Sequence, residues 1–212
     1  IPNSVIIIGE NAFHKCSSLQ EITIPTSLAE INSLTFGLCK SITQIIIPSS
    51  VKIIKDEAFK ECKSLKQIEI PSSVTLIDEM CFLNCSSLTQ ISLPSSLKQI
   101  YGATFYGCSS LTEISIPSSV TYIGGCAFRE CTSLVKVIIP SSVTIIDEGC
   151  FQNCKSLKEI TIPSSVTEIR KGAFCECCSL EHITIPRIKS ICECLFYECT
   201  SLLNVDIPDS VE

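Results

Sequence analysis

Apolar and polar residues along the chain follow a clock of 23 positions. A segment of the form L-x-x-I-x-I recurs nine times with only aliphatic exchanges, from Leu19–Ile24 to Leu202–Ile207. In Leu157-Lys158-Glu159-Ile160-Thr161-Ile162 the apolar residues alternate with polar ones at period two and are β-branched. That pattern predicts a strand with one face buried. A proline follows each such segment, where a missing backbone donor ends ladder bonding, and the Ser-Ser pair behind it favours a turn. The run V-x-x-I and then A-F-x-x-C returns to the start with at most ten residues between anchors, too few for a long helix. Short extended pieces and 3₁₀ turns are expected there.

The phase is strict. Prolines stand at 2, 25, 48, 71, 94, 117, 140, 163 and 186, and all nine phenylalanines occupy the twelfth position of a unit, from Phe13 to Phe174, or its equivalent, Phe196. Cysteine holds position 15 from Cys16 to Cys199, serine position 17, and leucine position 18 with Ile42 the one exception. Units of this kind bury their apolar residues only by stacking on their neighbours. The expectation is therefore a solenoid of nine units of about 23 residues, with one parallel β-sheet on one face and short strands, turns and 3₁₀ segments on the other. No linker or charge block divides residues 1–212, so a single domain is expected. Both ends fall within a repeat and no polar capping unit is visible, as expected of a fragment of a longer array. The ninth unit lacks one residue of the Ser-Ser turn, at Ile185-Pro186-Arg187-Ile188.

The motif L-x-x-I-x-I-P-S-S-V-x-x-I-x-x-x-A-F-x-x-C-x-S-L resembles the BspA-like leucine-rich repeats of bacterial and protozoan surface antigens over essentially the whole chain. The resemblance implies a leucine-rich-repeat solenoid placed at the cell surface or outside the cell. It also implies an adhesion module that contacts host cells or matrix proteins. The alternative is an intracellular scaffold or regulatory repeat attached to another domain. The third-position serines, Ser27 to Ser165, fall where many leucine-rich repeats carry an asparagine ladder, and are read as structural.

Composition excludes several classes. Hydrophobic residues make up 45% of the chain, yet no apolar run approaches the eighteen or so residues of a membrane span, so no membrane insertion is expected. A net charge of −6 with scattered Lys and Arg offers no basic stripe for nucleic acid. The two histidines, His14 and His182, are seven units apart, on the order of 34 Å at about 4.8 Å per unit, and cannot cooperate. No nucleophile–base pair, phosphate loop or metalloprotease motif is present. No catalytic residue, cofactor or metal is assigned.

Sixteen cysteines leave alternatives open. The position-15 column suits a ladder of small buried thiols, although rungs about 4.8 Å apart also permit bridges. Cys175, Cys177, Cys178, Cys192, Cys194 and Cys199 crowd the last two units, where a zinc site, a local disulfide and unpaired thiols are the alternatives. Cys81, Cys126 and Cys150 replace small residues and are read as packing.

Positions 20 and 22 vary where the buried columns do not, and project from the exposed strand face. The candidate protein-binding face is Glu21, Gln44, Ile46, Gln67, Glu69, Gln90, Glu113, Val135, Lys136, Ile138, Glu159, His182, Asn204 and Asp206. Ile46 and Ile138 stand out as apolar residues on an exposed face. Tyr101, Tyr106 and Tyr122 on the returning side are a competing surface or, equally, edge packing.

Overall fold

The computed structural model describes residues 1–208. Its strands are, in chain order, β1 (Glu30–Ile31), β2 (Gln44–Ile46), β3 (Ile53–Ile54), β4 (Gln67–Glu69), β5 (Leu76–Ile77), β6 (Gln90–Ser92), β7 (Gln99–Ile100), β8 (Glu113–Ser115), β9 (Tyr122–Ile123), β10 (Lys136–Ile138), β11 (Ile145–Ile146), β12 (Glu159–Thr161), β13 (Glu168–Ile169), β14 (His182–Thr184) and β15 (Asn204–Asp206). The L-x-x-I-x-I segments supply the three-residue strands, which stack in parallel and in register: Gln44, Gln67 and Gln90 are paired in one run of the position-20 column, and Glu159, His182 and Asn204 in a later run of the same column. Every strand pairing among the described residues is parallel and joins successive units, giving a solenoid of about eight turns. The first L-x-x-I-x-I segment, at residues 19–24, forms no strand.

A second row of parallel two-residue strands, β1, β3, β5, β7, β9, β11 and β13, lies just past the proline turn. It is the short extended piece expected on the return. Pairing is interrupted at one junction in both rows, between β6 and β8 and between β5 and β7.

The remaining side of each unit carries a third ladder. Met80, Phe82 and Asn84 donate their amides to the carbonyls of Gly102, Thr104 and Tyr106 in the next unit at 3.0, 2.9 and 2.7 Å. This ladder continues across the junction where both strand rows open. Between these donors, intervening residues bond back within their own turn, as Leu83 does to Met80 and Cys85 to Phe82. These tight turns stand where 3₁₀ segments were expected, each interrupted by left-handed residues. Positions 10 and 14 hold positive φ throughout, from Asn11 (59°) and Lys15 (63°) to Cys194 (57°) and Glu198 (58°). A left-handed residue turns the next amide outward along the stack, which lets a flat, coil-like segment bond its neighbour as a strand does.

The core is a set of columns. Nine phenylalanine rings form one continuous pile, with centroids 5.4–6.0 Å apart and planes within 14° of parallel. That spacing fits offset stacking. Rings from Phe36 to Phe174 are fully buried. The cysteine column has its own reason. Each thiol of this column from Cys39 to Cys199 donates to the carbonyl of the phenylalanine one unit earlier, at 3.0–3.3 Å. A small side chain that also carries a weak donor suits a slot lined by a buried carbonyl. Burial pushes Cys39 and Cys199 up to about 11, and raises inner thiols such as Cys85 and Cys108 well above the ordinary thiol value. The third-position hydroxyls of Ser27, Ser73 and Ser165 donate to the carbonyls of Val5, Val51 and Val143, each at 2.7 Å.

Candidate functional site

Three-residue strands show a strict exposed–buried–exposed pattern from β2 to β14. Ile45, Ile68, Ile91, Ile114 and Val137 point into the core, and so positions 20 and 22 point out. On this outer face an open trough of about 730 Å³ runs across β2 to β10. Its exposed lining is Gln44, Gln67, Gln90, Glu113 and Lys136 from position 20, and Ile46, Glu69, Ser92, Ser115 and Ile138 from position 22.

Eight of the candidate residues are thereby brought together: Gln44, Ile46, Gln67, Glu69, Gln90, Glu113, Lys136 and Ile138. The others are exposed but lie outside the trough. Val135 flanks β10, while Glu159, His182, Asn204 and Asp206 continue the face along β12 to β15. Glu21 sits in the first segment, which is not a strand. Ser92 and Ser115 line the trough and were not in the candidate set; as the shortest side chains of its position-22 row, they open its centre. Ile46 is 78% exposed and Ile138 54%. Four rungs separate them, roughly 19 Å at about 4.8 Å per rung. The trough therefore has an isoleucine at each end and polar groups between, with two carboxylates and one ammonium.

The returning side is built differently. Tyr106 donates its hydroxyl to Glu130 Oε1 at 2.8 Å and lies under the Arg129 guanidinium, 5.6 Å from the ring centre. Tyr122 donates to Asp147, which also accepts from Arg170 Nη1 at 2.9 Å, and Arg170 reaches Glu168 Oε1 at 2.7 Å. The bond to Asp147, with burial, pushes the Tyr122 phenol up to about 12. Burial alone would raise the Asp147 carboxyl, but the bonds from Tyr122, the Glu148 amide and Arg170 outweigh it and hold the group below its ordinary value. Both phenol hydroxyls are thus engaged in tying rungs together, and the half-buried tyrosines present little free surface. Tyr101 is half-buried as well.

His182 stands in register between Glu159 and Asn204, with Thr161 and Thr184 in the next exposed column. Among the described residues no thiol or serine stands beside it in these two exposed columns. Among the described residues no three His, Cys, Asp or Glu side chains converge to hold a metal ion. The C-terminal cysteines divide: Cys177 and Cys199 belong to the inner column, bonded to the carbonyls of Phe151 and Phe174, whereas Cys194 is exposed. Among the described residues no helix is long and apolar enough to cross a membrane.

Comparison with known proteins agrees with this geometry. A family model described as the BspA type leucine rich repeat region matches six copies, over residues 1–112 and 98–212. No curated protein matches the chain. Among solved structures, a leucine rich cell surface protein from Faecalibacterium prausnitzii is 31% identical, with a TM-score of 0.64, covering 92% of this chain and 62% of that one. A leucine-rich repeat protein from Bacteroides ovatus is 30% identical, with a TM-score of 0.57, over 100% of this chain and 73% of that one. The T. pallidum leucine rich repeat protein is 31% identical, with a TM-score of 0.69, over 75% and 77% of the two chains. The chain thus spans less than two thirds of the F. prausnitzii structure. With the family model covering the chain from residue 1 to 212, the chain belongs to the BspA-type leucine-rich repeat family.

Proposed function

We propose that this chain is a non-catalytic protein-recognition module, displayed at the cell surface or outside the cell, that holds a host-cell or matrix protein against its strand face. The observation that carries the reading is the trough with Ile46 and Ile138 exposed at its two ends. Large aliphatic groups held on rigid strands make interface anchors without further ordering, and polar groups between them supply orientation. The likeness to a structure described as a cell surface protein supports the placement. The engaged tyrosines of the returning side favour the strand face over the competing surface.

The test is binding of purified protein to intact host cells and to immobilised matrix proteins, comparing the parent with Ile46→Asp and Ile138→Asp. Each variant is expected to keep its stability within about 0.5 kcal/mol, as surface changes usually do, and to bind about 5- to 30-fold more weakly, the effect of losing one anchor of about 1–2 kcal/mol. Unchanged binding by both variants refutes the strand-face reading. Antibody labelling of intact cells of the source tests the placement; labelling only after permeabilisation would favour an intracellular scaffold.

A further inference from the structure

We propose that Cys194 and Cys175 form a thiol–disulfide site that closes on reaction with a small-molecule disulfide and ties the ninth unit covalently to the eighth. Of the sixteen cysteines, most are sealed in the core, but the group in the last two units is different in access and in surroundings. Cys194 is exposed on the returning side. It occupies the left-handed column at position 10, directly in line with Gly172 and Gly149. The ladder fixes this alignment: Gly172 donates to the Glu193 carbonyl at 3.1 Å and Phe174 to the Leu195 carbonyl at 3.2 Å.

Gly172 has no side chain, which leaves room beneath Cys194. The vacant side-chain position on Gly172 lies 3.7 Å from Cys175 Cβ. Taking one rung of about 4.8 Å as perpendicular to that offset puts the Cβ atoms of Cys175 and Cys194 on the order of 6 Å apart. Bridged cysteines have Cβ atoms about 3.8 Å apart, so closure needs a movement of about 2 Å. Among the described residues the second strand row ends at β13, so the ninth unit lacks that row and is tied to the eighth by the first row, the turn ladder, the Phe174–Phe196 stack, the Cys199 thiol and the Lys171–Glu193 pair. Its proline turn is also one residue short.

The two thiols suit two roles. Cys194 is open to solvent, so an external reagent meets it first, and its thiolate is the attacking species. Cys175 is 6% exposed, shielded from outside reagents but within reach of its neighbour. The Cys194 thiolate attacks one sulfur of the external disulfide and expels the other half as a thiolate. Cys175 then loses its proton to water, attacks the Cys194 sulfur and expels the second small thiolate. Two protein thiols and one external disulfide become one protein disulfide and two small thiols; the reagent is reduced and the protein oxidised.

The experiment treats the folded chain with oxidised glutathione, then maps cross-links by proteolysis and fragmentation mass spectrometry, in parallel with Cys175→Ser and Cys194→Ser. The parent is expected to yield the Cys175–Cys194 bridge with little mixed disulfide. Cys175→Ser is expected to accumulate glutathione on Cys194 about tenfold above the parent, because the resolving thiol is gone. Cys194→Ser is expected to leave Cys175 reduced. A bridge from Cys194 to Cys178, Cys192 or Cys199, a stable mixed disulfide in the parent, or oxidation of Cys175 in Cys194→Ser would each overturn the proposal.

Discussion

Truncating a ring inside the phenylalanine pile should cost far more than truncating one at its end, even though both rings occupy the same column. Phe105 is fully buried and stacks on Phe82 at 5.6 Å and on Phe128 at 5.4 Å. A buried Phe→Ala change costs about 3–5 kcal/mol through lost transfer energy and an unfilled cavity. Losing two stacked faces, each about 0.5–1.5 kcal/mol beyond area, places Phe105→Ala at the upper part of that range. Relaxation will not fill the space, because adjacent rungs are held by backbone ladders. Phe196 is half-buried with one stacked partner, Phe174 at 6.0 Å, and Phe196→Ala should cost about 2 kcal/mol by the same accounting. Urea unfolding followed by circular dichroism measures both. With a slope near the top of the usual range of about 1–3 kcal/mol/M, the internal variant should shift the midpoint down by about 1.5 M and the terminal one by about half as much. Equal shifts, or an internal shift worth under about 1 kcal/mol, would refute the pile as a source of stability.

Two further outcomes follow from local geometry. Asp147 has a lowered folded pKa, so its contribution is present above the ordinary carboxylate value and is lost as pH falls through the folded value. Tyr122 has its phenol raised to about 12, so its contribution is present below about 10 and is lost as pH rises toward 12. Asp147→Asn should therefore flatten both limbs of the stability–pH curve, and an unchanged alkaline limb would sink the Tyr122–Asp147 link. Gly107 and Gly172 both hold positive φ, 70° and 62°, so alanine at either costs about 1–2 kcal/mol. At Gly107 the new methyl would also sit 2.1 Å from Asn84 Oδ1. Gly107→Ala should be the more destabilising by thermal melting, and its cost measured in an Asn84→Ala background, relative to Asn84→Ala alone, should fall to that of Gly172→Ala; a persistent gap would mean that the Asn84 side chain is not the obstacle.

The buried columns were legible in the sequence because a stacked core offers one slot shape per column, and Phe, Cys and Leu each recur where that shape recurs. The left-handed ladder was not, since Leu34, Glu57 and Met80 adopt positive φ under the pull of inter-rung hydrogen bonds rather than by their own preference. A faint signal existed: six of the eighteen residues at these two positions are Asn or Gly, namely Asn11, Asn84, Asn153, Gly107, Gly149 and Gly172, the types that tolerate this conformation best. The exposed columns of the strand face were legible from period two. The location of the trough was not, because it depends on how short and long outward side chains combine over five successive rungs, with Ser92 and Ser115 side by side at its centre. The bonds of the tyrosines were not legible for a related reason. Tyr122 reaches a residue two columns along in the next rung, and diagonal partners leave no trace in a column-by-column reading.

These differences bear on how the strand face can be tested. Among the described residues, the side chains at positions 20 and 22 from β2 to β15 make one hydrogen bond between rungs, Thr184 Oγ1 to Asp206 Oδ2 at 3.3 Å. The fold there is secured by backbone pairing and by the inward isoleucines, so the outward chemistry is separable from stability. A substitution at Ile46 or Ile138 that weakens binding can accordingly be credited to a lost contact. On the returning side no such separation exists, since altering Tyr122, Asp147 or Arg170 breaks a chain of bonds across three rungs. A binding loss produced there would have to be weighed against the stability lost with it, and the strand face is the surface on which recognition and folding can be varied one at a time.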